Sequence, residues 1–347
     1  MKAAAFTHDV PPQRVVFVSG ALARVADEAA RLKIDRALVV ATPGSGARLG
    51  QKVSDLLGAR AVGLHAQAVM HVPKAVAEAG LKATRDSNAD GLIAVGGGSA
   101  IGLAKAIALE SGLPILAIPT TYSGSEGTPI FGLTDGERKI TGRDVKIVPR
   151  TIIYDPDLTL GLPAAVSAAS GMNAIAHCVE ALWVDSRTPV TIGLATEAMR
   201  RFAQNLPAVV ADGSNMPARG ECLIGAWLAG TVLSAGTALH HKLAHVLGGL
   251  SLPHAETHAI LLPHVMRFNL EAAPEAKARL QDALGSDDPA AAVAAMLKKF
   301  PIPQRLRDVG FDSAKSDFVA GEIAAASITV PRPASASDVR ELLAAAY

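Results

Sequence analysis

The sequence predicts an α/β N-terminal domain with a parallel sheet, followed by an all-α C-terminal domain. Short apolar runs alternate with helical patterns in the first half, whereas Ala- and Leu-rich stretches dominate after about residue 160. The chain has 347 residues, which exceeds the usual size of a domain with a single hydrophobic core, so two domains are expected. We place them at residues 1–158 and 159–347, with the boundary inside the segment 157–163.

Four apolar runs in the first half have the composition of buried parallel strands. The runs are Ala37–Ala41, 91–95, 115–118 and Thr151–Tyr154. Each is followed closely by glycine or proline, and proline suits the ends of strands but not central ladder positions. One helical pattern, 20–32, precedes the first run, and another, 99–109, lies between the second and the third. Strands that alternate with helices favour a parallel sheet with helices on its faces.

Four helical stretches make up much of the second half: 164–184, 191–206, 219–233 and 238–248. The uncharged stretch 222–239 is long enough to raise the possibility of a membrane span. Glycines, threonines and a serine interrupt it, however, and histidines follow it directly. We therefore expect a buried core helix there.

The overall composition excludes several classes of protein. The formal net charge is +1, from 33 basic and 32 acidic residues, so nothing attracts nucleic acid or a membrane surface. Aromatic residues make up 4% of the chain, which disfavours stacking on bases. Cys178 and Cys222 have no paired spacing, and no apolar signal core opens the chain. A cytoplasmic protein is expected.

A glycine-rich loop at 96–99 (Gly-Gly-Gly-Ser) follows the second apolar run and opens a helical pattern. Glycines let the backbone approach a pyrophosphate, and a helix N-terminus supplies unpaired N–H groups with a favourable dipole. The loop predicts phosphate binding, with a plain strand-to-helix turn as the alternative. The third run ends in the hydroxyl-rich segment 119–126, which suits phosphate or ribose contact but also has the composition of an ordinary loop.

Histidines recur in the second half of the chain, and one of them stands close to an asparagine. His177 follows Asn173 by four residues. His241 and His245 are also four apart, which puts both on one helix face. His254 follows in the next segment. For any one of these histidines, the alternative is a hydrogen-bonded core residue.

Together with 119–121 and 154–156, these motifs resemble the iron-containing alcohol dehydrogenase superfamily, in the same order along nearly the whole chain. The resemblance implies a dehydroquinate synthase-like fold, with an N-terminal dinucleotide-binding domain, a helical C-terminal domain and a catalytic cleft between them. It also implies that Lys139 lies near the cofactor. The implied NAD(P) contacts are Gly97, Gly98, Ser99, Thr120, Thr121 and Ser125.

Asn173 distinguishes this chain within the superfamily. Family members usually have Asp at this position, four residues before the first histidine ligand of a metal. The histidine ligand positions match His177, His241 and His254, while His245 matches a histidine near the nicotinamide. Divalent metals gain much from an anionic oxygen ligand, whereas Asn offers a neutral carbonyl oxygen. We therefore expect no metal.

With the segments 120–126 and 139–144, the Asn makes the chain similar to the maleylacetate reductase branch of the superfamily. That branch implies that NADH or NADPH reduces the C=C bond of maleylacetate, a small dicarboxylate, to 3-oxoadipate in aromatic compound degradation. A homodimer is expected. Hydride addition β to the ketone produces an enolate, which His241, His245 and His254 would stabilise without a metal. One of them, or water, would donate the final proton.

The predicted catalytic set is Asn173, His177, His241, His245 and His254, with no metal ligand. The two substrate carboxylates call for cations, and Lys242, Arg143 and Arg267 are candidates, although each also suits a charged surface. Thr42 stands near the end of an early strand, where an acidic residue would repel a 2′-phosphate. Use of both NADH and NADPH is therefore expected.

Three other functions stay open. A metal-dependent alcohol or polyol dehydrogenase of the same superfamily would accept Asn as a ligand, and metal analysis would identify it. A dehydroquinate-synthase-like lyase would need a metal and a phosphorylated sugar acid, and it would show no steady-state NADH consumption. A catalytically silent nucleotide-binding protein would show no turnover.

Overall fold

The computed structural model describes residues 5–9, 11–136, 138–326 and 328–347, without the side chains of residues 138 and 139. The chain divides into two compact units, Val10–Leu162 and Pro163–Tyr347, the second including the N-terminal segment. The first unit combines strands with helices, and the second has helices and no strand among its described residues. The predicted fold class is therefore confirmed.

A six-stranded parallel sheet forms the centre of the first unit, in the order β1-β8-β5-β4-β2-β3. Its strands are β1 Arg14–Phe17, β2 Ala37–Ala41, β3 Ala61–His65, β4 Gly91–Gly96, β5 Ile115–Pro119 and β8 Thr151–Tyr154. An antiparallel hairpin is formed by β6 Ile130–Asp135 and β7 Arg138–Arg143. The helices of this unit are α1 Val25–Arg31, α2 Ser45–Leu57, α3 Lys74–Asp86 and α4 Gly98–Ser111.

The central strands are buried on both faces of the sheet. Val39 and Ile93 belong to the core on one face, whereas the neighbouring Val40 and Leu92 belong to the core on the other. Alternate residues of a strand point to opposite faces, so a strand covered on both sides is apolar at every position. This is why the four continuous apolar runs predicted β2, β4, β5 and β8 correctly.

The sequence interpretation missed the two outer strands and the hairpin. β1 and β3 lie at the two edges of the sheet, and most of their residues are at least partly exposed. The residues of β6 are likewise exposed or half-buried. A strand that is not enclosed on both faces lacks the continuous apolar run on which the prediction depended.

Asp155, in the segment 154–156, fastens the end of the sheet to the N-terminal turn. Its carboxylate is 2% exposed and accepts hydrogen bonds from the backbone N–H groups of Gly20 at 3.0 Å and Leu22 at 2.9 Å. It also accepts from the N–H of Asp157 at 3.1 Å. Asp155 therefore stabilises the first unit through these hydrogen bonds.

Nine helices make up the described part of the second unit: α5 Ala164–Ala181, α6 Pro189–Ala211, α7 Met216–Val232, α8 Leu239–Gly249, α9 His254–Asn269, α10 Pro274–Leu284, α11 Pro289–Lys298, α12 Ser316–Ala325 and α13 Ala336–Ala346. Every residue of α5 from Ser167 to Ala181 is buried, so this helix lies at the centre of the unit. The prediction ended the second helix at residue 206, but α6 continues through Pro207 to Ala211. Val209 beyond the proline is buried, and its packing favours the extra turn.

The apolar stretch 222–239 is divided between α7 and the start of α8, and most of its residues are buried. Within the described ranges, no single helix is long and apolar enough to cross a membrane. The pair Met216–Ala235 and Leu239–Gly249 reaches that length and composition together, with a bend of 96° between the two parts.

We predict that Asp155→Ala lowers the free energy of unfolding of the first unit by about 2–4 kcal/mol, because three buried or half-buried N–H groups lose a charged acceptor. Urea denaturation followed by circular dichroism measures the loss. Asp157→Ala is the control, since that carboxylate is exposed and accepts a hydrogen bond from Ser19. Equal losses in the two variants would contradict the role assigned to Asp155.

Candidate active site

The glycine-rich loop connects β4 to α4 at the carboxyl edge of the sheet. Gly96 has a φ of +138°, a conformation that side chains disfavour. A Cβ atom on Gly97 would lie 2.7 Å from Cγ2 of Thr121, so a side chain at this position would force Thr121 to shift. No side chain caps the N-terminus of α4. Its N–H groups therefore suit an anionic group.

The segment after β5 forms the second wall of this site. Gly96 pairs with Pro119 in the sheet, and the N–H of Thr120 donates to the Gly96 carbonyl at 3.1 Å. Oγ of Ser125 is buried and has no hydrogen-bond partner among the described residues. The backbone of Lys139 lies in β7 opposite Thr134, while its side chain lies outside the described part. The loop and the segment are therefore the candidate site for the predicted cofactor.

Five histidines and an asparagine gather where three helices of the second unit meet. Helix α5 supplies Asn173 and His177, α8 supplies His241 and His245, and α9 supplies His254. The ring centroids of His177 and His241 are 5.1 Å apart, those of His241 and His245 are 6.2 Å apart, and those of His245 and His254 are 6.3 Å apart. The structure thus brings together the four histidines named from the sequence. The fifth, His258, has its ring centroid 4.5 Å from that of His254 and 4.8 Å from that of His241.

Glu180 holds this histidine cluster in place, and the sequence interpretation missed it. It lies on α5, seven residues after Asn173 and three after His177, and is fully buried. Its carboxylate accepts from the backbone N–H groups of Ala238 at 2.9 Å, His240 at 2.7 Å and His241 at 3.4 Å. These are N–H groups of the N-terminal turn of α8, whose own N-cap residue, Ala238, makes no capping bond. A lone acid in an apolar helix, at helical spacing from the Asn, was the available signal.

The same carboxylate orients the ring of His241. Nδ1 of His241 lies 2.6 Å from Oε2 of Glu180. An ionised carboxylate only accepts, so Nδ1 carries the proton and donates it. Nε2 of His241 then faces the cluster, buried and without a hydrogen-bond partner among the described residues. Oδ1 of Asn173 and Nδ1 of His177 share that condition, so these polar atoms are available to a bound molecule.

The sequence interpretation also missed His258 and the adjacent His240, whose ring centroids are 4.9 Å apart. Nε2 of His240 lies 2.9 Å from Nδ1 of His258, and both side chains are completely buried. Burial lowers the pKa of His240 to about 3 and lowers the pKa of His258 well below its ordinary value. Burial, reinforced by the neighbouring histidines, does the same to His177. These three imidazoles are therefore neutral at neutral pH.

Two family models match the chain in sequence: "Iron-containing alcohol dehydrogenase" over residues 12–156, and "Fe-containing alcohol dehydrogenase family, C-terminal" over residues 167–347. The chain belongs to the iron-containing alcohol dehydrogenase family. It is accordingly an oxidoreductase, and the family implies a nicotinamide cofactor.

Similar proteins within this family carry a narrower name. The chain is 50% identical to a maleylacetate reductase of Sphingobium indicum, over 82% of this chain and 81% of that protein. It is 42% identical to a maleylacetate reductase of Delftia acidovorans, over 99% and 97%. The crystal structure of maleylacetate reductase from Agrobacterium tumefaciens superposes with a TM-score of 0.94 at 42% identity, covering 99% of this chain and 98% of that one.

The family name implies a metal, and the donor set of the cluster does not fit one well. Asn173 offers a neutral oxygen, and the Glu180 carboxylate is already engaged by three N–H groups and Nδ1 of His241. Divalent metals would lack the anionic oxygen from which they gain most. Among the described residues, no three His, Cys, Asp or Glu side chains are grouped so that they could hold a metal ion. The absence of a metal stays a prediction.

The three cations named for the substrate carboxylates lie in different places. Lys242 is half-buried on α8, next to His241. Arg267 is exposed in the last turn of α9, 13 residues after His254. At 1.5 Å per residue that is about 20 Å along the helix, too far for a shared ligand. Arg143 is exposed at the end of β7 in the first unit.

We predict that Glu180→Gln lowers the free energy of unfolding by about 2–4 kcal/mol, because the amide NH₂ would face N–H donors that now meet an oxygen. Chemical denaturation measures the change. Glu221→Gln is the matched control, since that carboxylate is partly exposed in an ion pair with Arg201 and should contribute about 1 kcal/mol or less. An effect of Glu180→Gln no larger than that of the control would refute the capping role.

The same pair of proteins should differ in acid stability. Burial alone would raise the pKa of Glu180, but the hydrogen bond and charge of His241 outweigh it and lower the pKa. The carboxylate's contribution to the free energy of unfolding is then complete above the unfolded-state pKa of about 4.3 and is lost as the pH falls through the lower folded-state value. The difference between wild type and Glu180→Gln should therefore shrink in strong acid. A difference that stays constant down to about pH 3 would contradict this.

Proposed function

We propose that this enzyme reduces the C=C bond of maleylacetate with NADH or NADPH and produces 3-oxoadipate. The observation that carries the proposal is a cluster of histidines on the helices α5, α8 and α9, with Asn173 also on α5. Burial keeps His177, His240 and His258 neutral, and the Glu180 carboxylate is committed to a helix N-terminus. Maleylacetate reductases at 42–50% identity over most of the chain support it.

The reaction needs a place for negative charge on the ketone oxygen. Hydride from the reduced nicotinamide adds to the alkene carbon β to the ketone, the C=C π bond becomes an enolate, and a proton then joins the α carbon. Maleylacetate, NAD(P)H and one proton thus give 3-oxoadipate and NAD(P)⁺. Preorganised N–H donors stabilise a developing oxyanion strongly in a site that excludes water.

We assign that stabilisation to His241, His245 and His254, with Asn173 and His177 lining the same cluster. A neutral imidazole of His245 or His254 can donate its one N–H to the oxyanion. The Nδ1–H of His241 is donated to Glu180, so His241 would donate from Nε2 only as an imidazolium paired with that carboxylate. The proton for the α carbon comes from one of the three or from water. Lys242, beside His241, is the cation that we assign to a substrate carboxylate.

In the first unit, we assign the cofactor to the glycine loop and the segment after β5. The N–H groups at the start of α4 would bind the pyrophosphate, with Gly97 and Gly98 allowing its approach. Hydroxyls of Ser99, Thr120, Thr121 and Ser125 would contact the rest of the cofactor, with Lys139 nearby.

We also propose a metabolic role, a cellular location and an oligomeric state for the enzyme. Reduction of maleylacetate serves the degradation of aromatic compounds. We propose that the enzyme acts in the cytoplasm, where the buried thiols of Cys178 and Cys222 stay reduced, and that it is a homodimer.

NADH oxidation with maleylacetate as substrate tests the proposal, and we predict that it survives exhaustive chelation. The reason is that the cluster stabilises the enolate with N–H donors and offers no free carboxylate to a metal. Asn173→Asp, which restores an anionic oxygen, is the companion variant for metal analysis. Loss of turnover in EDTA, with recovery on adding iron or zinc, would favour a metal-dependent alcohol dehydrogenase instead.

We predict that replacing His241, His245 or His254 by Ala lowers kcat about a hundredfold or more, the usual scale for losing an oxyanion donor or general acid. The dissociation constant for NADH, measured by fluorescence, should change much less. His264→Ala is the control, because His264 lies on α9 ten residues after His254. Near-normal kcat in all three variants would place the chemistry elsewhere.

We predict that Thr42→Asp converts an enzyme that uses both cofactors into one that prefers NADH. Thr42 directly follows β2, whose last residue Ala41 pairs with Val95 beside the glycine loop. A carboxylate there would repel a 2′-phosphate, raising KM for NADPH about tenfold or more while leaving KM for NADH nearly unchanged. Thr42→Asn is the isosteric neutral control. A wild-type preference for NADH above about a thousandfold in kcat/KM would itself contradict the expected dual use.

A further inference from the structure

A buried lysine joins the two parts of the predicted cofactor site. Lys105 lies on α4, the helix that begins at the glycine loop, and is 1% exposed. Its ammonium donates to the carbonyl of Ser125, to Oγ1 of Thr128 at 2.9 Å and to the carbonyl of Ile130 at 3.1 Å. An ammonium group has three N–H donors, so these acceptors saturate it.

These contacts close the turn that carries Ser125. Thr128 is buried, and its hydroxyl donates to the Ser125 carbonyl at 3.2 Å while accepting from the N–H of Ile130 at 3.2 Å. Lys105 and Thr128 therefore fix both ends of the segment 125–130. Ser125 at one end has a buried hydroxyl without a hydrogen-bond partner in the described chain, and Ile130 at the other begins the hairpin that carries Lys139.

Lys105 forms a buried ionisable pair with Glu126. Glu126 is fully buried, and its Oε1 accepts from the hydroxyl of Tyr154 at 2.6 Å. Burial lowers the pKa of Lys105 to about 7, against the opposing charge of Glu126. Burial likewise raises the pKa of Glu126. A buried ionisable pair is weak support for stability alone, since apolar side chains of similar volume often serve as well. The contacts of Lys105 with the segment 125–130 indicate a role in positioning that segment.

We propose that Lys105 is a positioning residue of the cofactor site, which holds the segment 125–130 against α4 so that the Ser125 hydroxyl is fixed for contact with the nicotinamide cofactor. The inference rests on the cofactor assignment made under the proposed function. It adds a residue that touches no cofactor and acts through the backbone of Ser125 and Ile130.

The test uses the full-length protein and NADH as the probe. Lys105→Met removes the ammonium, and we expect it to weaken NADH binding about tenfold or more in a fluorescence titration, with kcat at saturating NADH changing less than KM. Lys105→Arg, which keeps the charge and the donors, should recover part of the affinity. Thr128→Val, a milder change that removes one acceptor, should weaken binding in the same direction.

The matched control is Ile34→Ala, a core substitution at the opposite edge of the same unit. Ile34 is fully buried and packs against Gly91 at the start of β4, whereas the loop lies at the other end of that strand. It should lower the melting temperature without changing NADH affinity. If Lys105→Met and Ile34→Ala weaken NADH binding alike, or if folded Lys105→Met binds NADH within about threefold of wild type, the proposal is overturned. Should Lys105→Met not fold, unchanged NADH affinity in both Lys105→Arg and Thr128→Val would overturn it.

Failure of the proposed function gives a different result. A wild type that binds NADH but does not reduce maleylacetate would refute that function, while the variants would still report on Lys105. A wild type that does not bind NADH would refute both.

Discussion

The candidate active site depends on one buried carboxylate. Glu180, at the end of the central helix α5, accepts from three backbone N–H groups in the first turn of α8 and from Nδ1 of His241. A helix N-terminus buried without an acceptor would be costly, and Ala238 at the N-cap supplies none. Because the acceptor comes from another helix, the same bonds that satisfy α8 also bring His241 to α5, beside His177. The hydrogen bonds of Glu180 therefore contribute both to the packing of α8 against α5 and to the position of the His241 side chain.

The chemistry of the cluster follows from that commitment. With its carboxylate engaged, Glu180 offers no anionic oxygen to the cluster, which presents imidazole nitrogens and the side-chain amide of Asn173. We propose that N–H groups of this set that Glu180 does not engage stabilise a transient negative charge on a substrate oxygen. In the first unit, N–H groups at the start of α4 suit a permanent negative charge, that of a pyrophosphate. The roles that we propose for the two units therefore differ in charge: the first would bind a permanently charged cofactor and the second would stabilise a transient oxyanion.

Sequence reasoning succeeded where a residue's role depends on its own segment. Strands enclosed on both faces are apolar at every position, so Ala37–Ala41 and Thr151–Tyr154 were predicted with correct limits. The four histidines were found from the family resemblance, and the i, i+4 spacing placed His241 and His245 on one helix face. Glu180 and Lys105 were missed because their partners lie 58–61 and 20–25 residues away, and a lone charge in an apolar helix does not reveal them. His258 was missed for a similar reason, since its partner His240 belongs to a different helix.

The central claim is that hydride is added to a carbon–carbon double bond and that the histidine cluster receives the resulting enolate. The most direct measurement is the position of the label after turnover of maleylacetate with NADH deuterated at the transferable position, followed by NMR of the product. The account predicts deuterium on the 3-oxoadipate carbon β to the ketone and a solvent proton on the adjacent α carbon. Deuterium on a carbon that bears a hydroxyl group would show reduction of the carbonyl, as in an ordinary alcohol dehydrogenase, and would contradict it.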